Sequence, residues 1–219
     1  MKYTIAILLL IIISSISNAL ENNDITIIVD KIQQKYEKID DFHAKFIQEA
    51  TVKVLNKVEK AEGEVWFKKP GKMRWNYYKP TMDQFVSDGS KIWFYDQEEN
   101  QVIESNISSV ADPSSSTTLL SGLGKIKELF DTTFSTNGKL YEKDNFILDL
   151  KPKNDGGEFN KVTIAVDKES LLVKTILLYD PYGNLTKVSL EDIKINKGIN
   201  NDIFNFVKPE GVEVIIPPS

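Results

Sequence analysis

The chain has 219 residues, 27 Lys or Arg against 32 Asp or Glu, one histidine and no cysteine. A net charge of −5 makes nucleic acid a poor default partner. Without cysteine there is no disulfide, no thiolate metal site and no lipidated cysteine, so stability has to come from an apolar core.

Met1-Lys2-Tyr3 is a short basic start, Ile5 to Ile13 is an unbroken apolar run, and Ser17-Asn18-Ala19 ends in a small residue. This is the layout of a secretory signal peptide over residues 1–19, with cleavage expected after Ala19. The run is too short to span a bilayer, so a retained anchor is the weaker reading. Removing residues 1–19 from 219 leaves 200, enough to bury a core in one domain over 20–219. Lys2 goes with the signal, so 26 cations then face 32 anions, or −6. The product is expected to be soluble and exported, most simply to the periplasm.

Asp24 and the stretch after it read as a capped amphipathic helix. Ile25, Ile28, Val29, Ile32, Tyr36 and Ile39 recur at helical spacing on one stripe. From Phe42 the period changes to two, with Phe42, Ala44, Phe46, Ala50, Val52 and Val54 on one parity and Gln48 breaking the row. After a polar connection, AEGEVWFKK is a second strand and KMRWNYY a third, with Pro70-Gly71 as the turn between them. MDQFVSDGSKIWFYD reads as a hairpin turning at Ser87-Asp88-Gly89-Ser90.

The stretch from Asn106 to Phe134 has no period-two signal. Its TTLLSGLG and KIKELFD segments look like short helices carrying Leu119, Leu120, Leu123, Ile126, Leu129 and Phe130. An irregular insertion of that length is often a lid or binding loop. Strands resume at NFILDLKP, NKVTIAVD, SLLVKTILLYD and NLTKVSLEDIKI, spaced as an antiparallel meander. NNDIFNF reads as a turn and short strand, and KPEGVEVIIPPS as a closing tail. The predicted class is mainly β, or α+β, with about ten strands. One helix and a lid cover such a sheet best from within its concave side.

Catalytic chemistry is poorly represented. His43 sits at a strand start with no nucleophile motif around it, and reads as a partly exposed strand histidine. There is no Gly-x-Ser-x-Gly, phosphate loop or dinucleotide fingerprint, and one histidine is too few for zinc. No cofactor or metal is expected.

GEVWFKKPGKMRWNYYKP, residues 63–80, interleaves aromatics and cations, but its faces separate. Met73, Trp75 and Tyr77 share one parity, Lys72, Arg74 and Asn76 the other, and Val65 pairs in parity with Phe67. Ordinary core packing is the simpler reading of such a face. The excess of large aromatics, the missing catalytic groups and the leucine-bearing insertion together point instead to a cavity. Parity turns Phe46, Phe67, Met73, Trp75, Phe85, Ile92 and Phe94 inward, with Ile28 and Ile32 of the helix and Leu119, Leu123 and Leu129 of the insertion facing them.

The same residues carry a resemblance. Gly63 with Trp66, the Lys68-Lys69-Pro70 turn, Arg74-Trp75 with Tyr77, Ser87-Asp88-Gly89, and Trp93 with Tyr95-Asp96 resemble the motifs of the periplasmic outer-membrane lipoprotein carrier protein family, LolA. The likeness runs from about residue 24 to 216, most specifically in the central block. It implies an unclosed antiparallel β-barrel with a helical lid around a hydrophobic cavity. It implies a monomeric carrier that receives acylated lipoproteins from an inner-membrane ABC transporter and passes them to an outer-membrane acceptor. The family usually has arginine before the Pro, where it holds the lid by hydrogen bonds; this chain has Lys69. Lys69 and Arg74, the one arginine beside 26 lysines, are the candidate lid residues. The alternative is a periplasmic lipid- or lipoprotein-sensing regulator of the RseB type, a family with a second domain. A lipid hydrolase is a third reading that the missing motifs disfavour.

Overall fold

The computed structural model describes residues 24–106, 123–136, 140, 143–154 and 157–217. The expected signal segment and Leu119 lie outside these residues. Helix α1 covers 24–37, as the stripe of isoleucines requires. It is followed by β1 (Asp41–Val52), β2 (Lys57–Lys68), β3 (Lys72–Lys79), β4 (Gln84–Asp88), β5 (Lys91–Asp96) and β6 (Gln101–Asn106). A short helix α2 (Ile126–Leu129) leads into β7 (Phe130–Phe134), then β8 (Asn145–Pro152), β9 (Lys161–Asp167), β10 (Val173–Tyr179), β11 (Leu185–Ile195) and β12 (Glu213–Ile215).

The twelve strands of the described residues form one sheet in the order β12-β6-β5-β4-β3-β2-β1-β11-β10-β9-β8-β7. It consists of two antiparallel meanders, β1–β6 and β7–β11, joined where β1 pairs β11 from Phe42↔Ile195 to Thr51↔Leu185. β12 adds in parallel to the outer side of β6. The order begins at β12 and ends at β7, so the sheet is not closed.

Residues opposite each other in a ladder share a face. Three rows follow from the pairing. One runs Phe42–Phe67–Met73–Ser87–Ile92 and the next Ala44–Val65–Trp75–Phe85–Phe94. A third runs Leu190–Phe46–Gly63–Tyr77. In the other meander Leu148, Ile164, Ile176 and Val188 line up in the same way. Side chains of α1, β1–β3 and β8–β11 belong to a single apolar cluster. Only a sheet curled around the helix brings both meanders to it.

The opposite face of β3 and β4 carries the 3-10 turn Asn201–Phe204, with Phe204 buried. Further on, Phe206 stacks on Trp93 of β5 with ring centroids 5.8 Å apart. The chain beyond β11 therefore wraps the outside of the first meander.

Four sequence expectations need correction. Among the described residues the strands number twelve rather than about ten, because FDTTF pairs with β8 and EVI with β6. The polar connection after β1 is mostly strand, since β2 begins at Lys57. Val54 leaves the inward row because β1 ends at Val52 and Lys53–Leu55 is a 3-10 turn. NNDIFNF forms a 3-10 turn and no strand.

Candidate functional site

The inner face of β1–β3 is built from aromatic rings. Phe46 meets Trp75 at 4.9 Å and Tyr77 at 5.0 Å, both edge to face, the geometry that ring quadrupoles favour. The cluster closes this tightly because of Gly63. A Cβ there would lie 2.0 Å from the Asn76 carbonyl oxygen and 2.9 Å from the Phe46 ring. Burial, with the Asp83 carboxylate nearby, pushes the Tyr77 hydroxyl up to about 12, so the ring stays neutral; it donates to Gln48 Oε1 at 3.3 Å. Gln48 breaks the apolar parity of β1 and serves as that partner.

Beyond this cluster, toward the β1–β2 turn, the face opens into a hollow of about 700 Å³. That volume lies within the roughly 300–1,000 Å³ of small-ligand sites. Ala50, Ala61, Tyr77 and Phe94 supply apolar wall, while Glu59, Lys60, Asp96 and Glu98 stand among its polar lining.

Helix α1 covers the other part of the inner face. Ile25, Val29, Ile32 and Tyr36 are buried in the cluster and Ile28 packs against it. Burial raises the Tyr36 phenol well above its ordinary value, and its oxygen accepts the Val173 N–H of β10 at 2.9 Å. Lys127 of α2 reaches Asp30 of α1 at 2.6 Å. Leu123 and Ile126 are fully buried beside α1, and Leu129 is partly buried against the same cluster.

The end of α1 is held by charge. Lys69, in the β2–β3 turn, donates to the carbonyl oxygens of Tyr36 at 3.1 Å and Glu37 at 2.8 Å. These are among the last carbonyls of the helix, beyond the reach of its own i+4 N–H groups, although that of Tyr36 also accepts the Ile39 N–H at 3.2 Å, and a cation there also suits the helix dipole. Lys68, of opposite parity, donates to the Ile199 carbonyl at 2.5 Å, in the chain beyond β11. Asn196 and Asp41 complete the joint. Asn196 accepts from Asp40 N–H and donates to the Lys38 carbonyl. The buried Asp41 carboxylate accepts from the N–H groups of Lys197, Gly198 and Ile199.

Phe46, Phe67, Met73, Trp75, Phe85, Ile92 and Phe94 all fall in the three rows of one face, and Phe94 is the one that lines the hollow. Arg74 does not join Lys69. Its parity turns it outward, where Nη1 donates to the Ile203 carbonyl at 3.0 Å, Nη2 to Gln84 and Nε to Asn76. It holds the outer wrap through these hydrogen bonds. His43 is also on the outer face, stacked on Trp66 at 5.0 Å with Glu64 Oε1 at 3.3 Å. Sequence reasoning named Gly63 and Lys68 only as motif residues, without these roles, and missed Asp41 and Asn196. The Lys68-Lys69 doublet was the available signal, since neighbours in a strand face opposite ways.

The site is thus an open, mostly antiparallel sheet curled round a pinned helix, with an aromatic inner face and a partly polar hollow at one end. The comparisons narrow the class. The family model described as outer membrane lipoprotein carrier protein LolA matches residues 37–207. The chain belongs to that family, a family of carriers. An outer-membrane lipoprotein carrier protein of Methylobacillus flagellatus is 30% identical over 189 residues, covering 85% of this chain and 88% of that protein. One of Nitrosomonas europaea is 30% identical over 174 residues, covering 80% and 82%. An uncharacterized conserved protein from Thermus thermophilus shares the fold, with a TM-score of 0.56 at 12% identity over 89% of this chain and 99% of that one.

Proposed function

We propose that this protein carries acylated lipoproteins across the periplasm, shielding their acyl chains inside the curled sheet. In this reading an inner-membrane ABC transporter loads it, an outer-membrane acceptor unloads it, and it works as a monomer. The observation that carries the reading is the aromatic face partly covered by a helix whose end is pinned by the Lys69 side chain.

The task needs such a shelter. Burial in hydrocarbon is worth about 0.8 kcal/mol per methylene, so a chain of roughly sixteen carbons is worth on the order of 12 kcal/mol. Free diffusion through water is negligible at that cost. Release must also occur, which argues for a covering element held by polar bonds and side-chain contacts that can be exchanged. Helix α1 is such an element: its apolar stripe occupies sheet surface that acyl chains would take if it moved aside. No bond is broken in this function, and the side chains of the inner face supply only contact area and exclusion of water.

Mass spectrometry of the protein purified from its own periplasm tests the reading. Co-purifying acylated lipoproteins support it. Recovery with no acylated molecule, from cells rich in lipoproteins, contradicts it.

A further inference from the structure

We infer that the β1–β2 and β10–β11 turns form a docking tip that seats the open end of the sheet on a phospholipid bilayer, an inference that rests on the carrier reading. The tip exposes large apolar side chains. Val54 is 89% exposed, Leu55 69% and Val58 53%, and Tyr182 in the neighbouring turn is 82% exposed. A monomeric soluble protein has little reason to place that much apolar side chain on two adjacent turns.

The two turns are one surface. The Lys53 N–H donates to Asn184 Oδ1 at 3.0 Å, and a Cβ on Gly183 would stand 3.1 Å from the Lys53 side chain. The tip is also built to hold its shape. Asn56 takes the left-handed conformation at φ +48° to end the 3-10 turn. Asp180 accepts the N–H groups of Tyr182 and Asn184 at 2.9 and 2.7 Å. The apolar side chains are therefore presented by ordered turns.

Position and composition select the occupant. Lys57 and Val58 line the hollow as well as flanking the tip, so an acyl chain leaving the hollow at this end emerges beside Val54 and Leu55. A few knobs at turn ends bury too little for a stable protein interface, which takes about 800 Å² per partner. They suit a deformable layer that closes around each side chain. Tyrosine, with an apolar ring and a polar end, and lysines, with apolar stems and charged heads, suit the headgroup boundary. Glu59, Asp96 and Glu98 at the same rim oppose any strong preference for anionic lipid. The attachment is expected to be apolar, weak and reversible, as a shuttle needs.

The test is co-sedimentation of the exported protein with phosphatidylcholine vesicles, with and without phosphatidylglycerol. Uptake of a hydrophobic fluorescent probe is measured in parallel. The wild type should sediment with both vesicle types with little salt dependence. The V54D/L55D double variant should bind at least about tenfold more weakly, because two apolar side chains are lost from the layer. Y182S, on the other turn, should weaken binding independently, and both variants should take up probe as the wild type does. Equal sedimentation of wild type and variants overturns the inference. So does a wild type that takes up probe but binds no vesicle, and the carrier reading then stands. If those variants fail to deliver acyl chains to an acceptor protein although the wild type binds no vesicle, the tip is a protein contact and the inference is likewise overturned. A wild type that takes up no probe sinks the carrier reading, and this inference with it.

Discussion

The Lys69 ammonium lies 3.1 Å from the carbonyl oxygen of Tyr36 and 2.8 Å from that of Glu37, so one side chain of the β2–β3 turn pins the end of the helix over the apolar face. The bonds are partly exposed and worth on the order of 1–2 kcal/mol together. Lys69→Leu should raise the population with α1 loosened by a factor of roughly five to thirty. Cargo that displaces the helix then binds more tightly by up to that factor, and onward transfer slows in proportion. Lys69→Arg should do the reverse, since a planar fork can serve both carbonyls at once. Transfer of a bound acylated peptide to liposomes, timed for the three proteins, checks this; equal rates would show that the clamp does not govern release.

At Gly63 of β2 the β3 backbone and the Phe46 ring leave no room for a Cβ. Because the clash of an added Cβ would be with the Asn76 carbonyl, relief requires moving the strand. Gly63→Ala should cost about 3 kcal/mol or more, above the usual range for overpacking. Denaturant unfolding measures it, and a loss below about 1 kcal/mol would mean the strands yield easily.

Asp41 gathers three N–H groups from residues 197–199 onto one buried carboxylate. Asp41→Ala leaves those donors without it, at a cost of about 2–3 kcal/mol for hydrogen bonds to a charged group. The loss should appear as faster amide exchange in residues 197–206 and a changed Trp93 emission, since Phe206 stacks on that ring. Unchanged exchange there would separate Asp41 from the outer wrap.

Asp167 gives a pH signature. Hydrogen bonds from the Ser170 hydroxyl at 2.6 Å and N–H at 2.7 Å hold its carboxyl below the ordinary range. A lowered folded value means the stabilisation is present above the unfolded value and is lost as pH falls through the folded one. The stability difference between wild type and Asp167→Ala should be constant near neutrality and shrink toward zero in acid. Solvent screening keeps it at or below about 1 kcal/mol. Chemical unfolding from neutral pH down into strong acid reads it, and a difference that grows in acid would contradict the assignment.

Much of the inner face was legible because parity in a strand is strict. Once Trp75 is placed inward, Met73 and Tyr77 follow, and the ladder carries the assignment to Val65 and Phe85. Val54 failed because the 3-10 turn at Lys53 interrupts a period that looks continuous in sequence. β7 and β12 were hidden because Phe130–Phe134 and Glu213–Ile215 are short edge segments that depend on distant partners. Arg74 was misplaced for a related reason. Its role depends on Ile203, 129 positions away, and on a wrap that no local period announces. Lys69 could be read by resemblance; that it binds α1 and not another element required coordinates.

The central claim is that acyl chains occupy the inner face, and competition binding tests it most directly. The protein is saturated with a hydrophobic fluorescent probe and titrated with a peptide in acylated and unacylated forms. The account predicts saturable probe binding, displacement by the acylated peptide alone, and weaker binding when Phe94→Asp places a charge in the hollow. Absence of saturable binding, or equal displacement by the unacylated peptide, would contradict it.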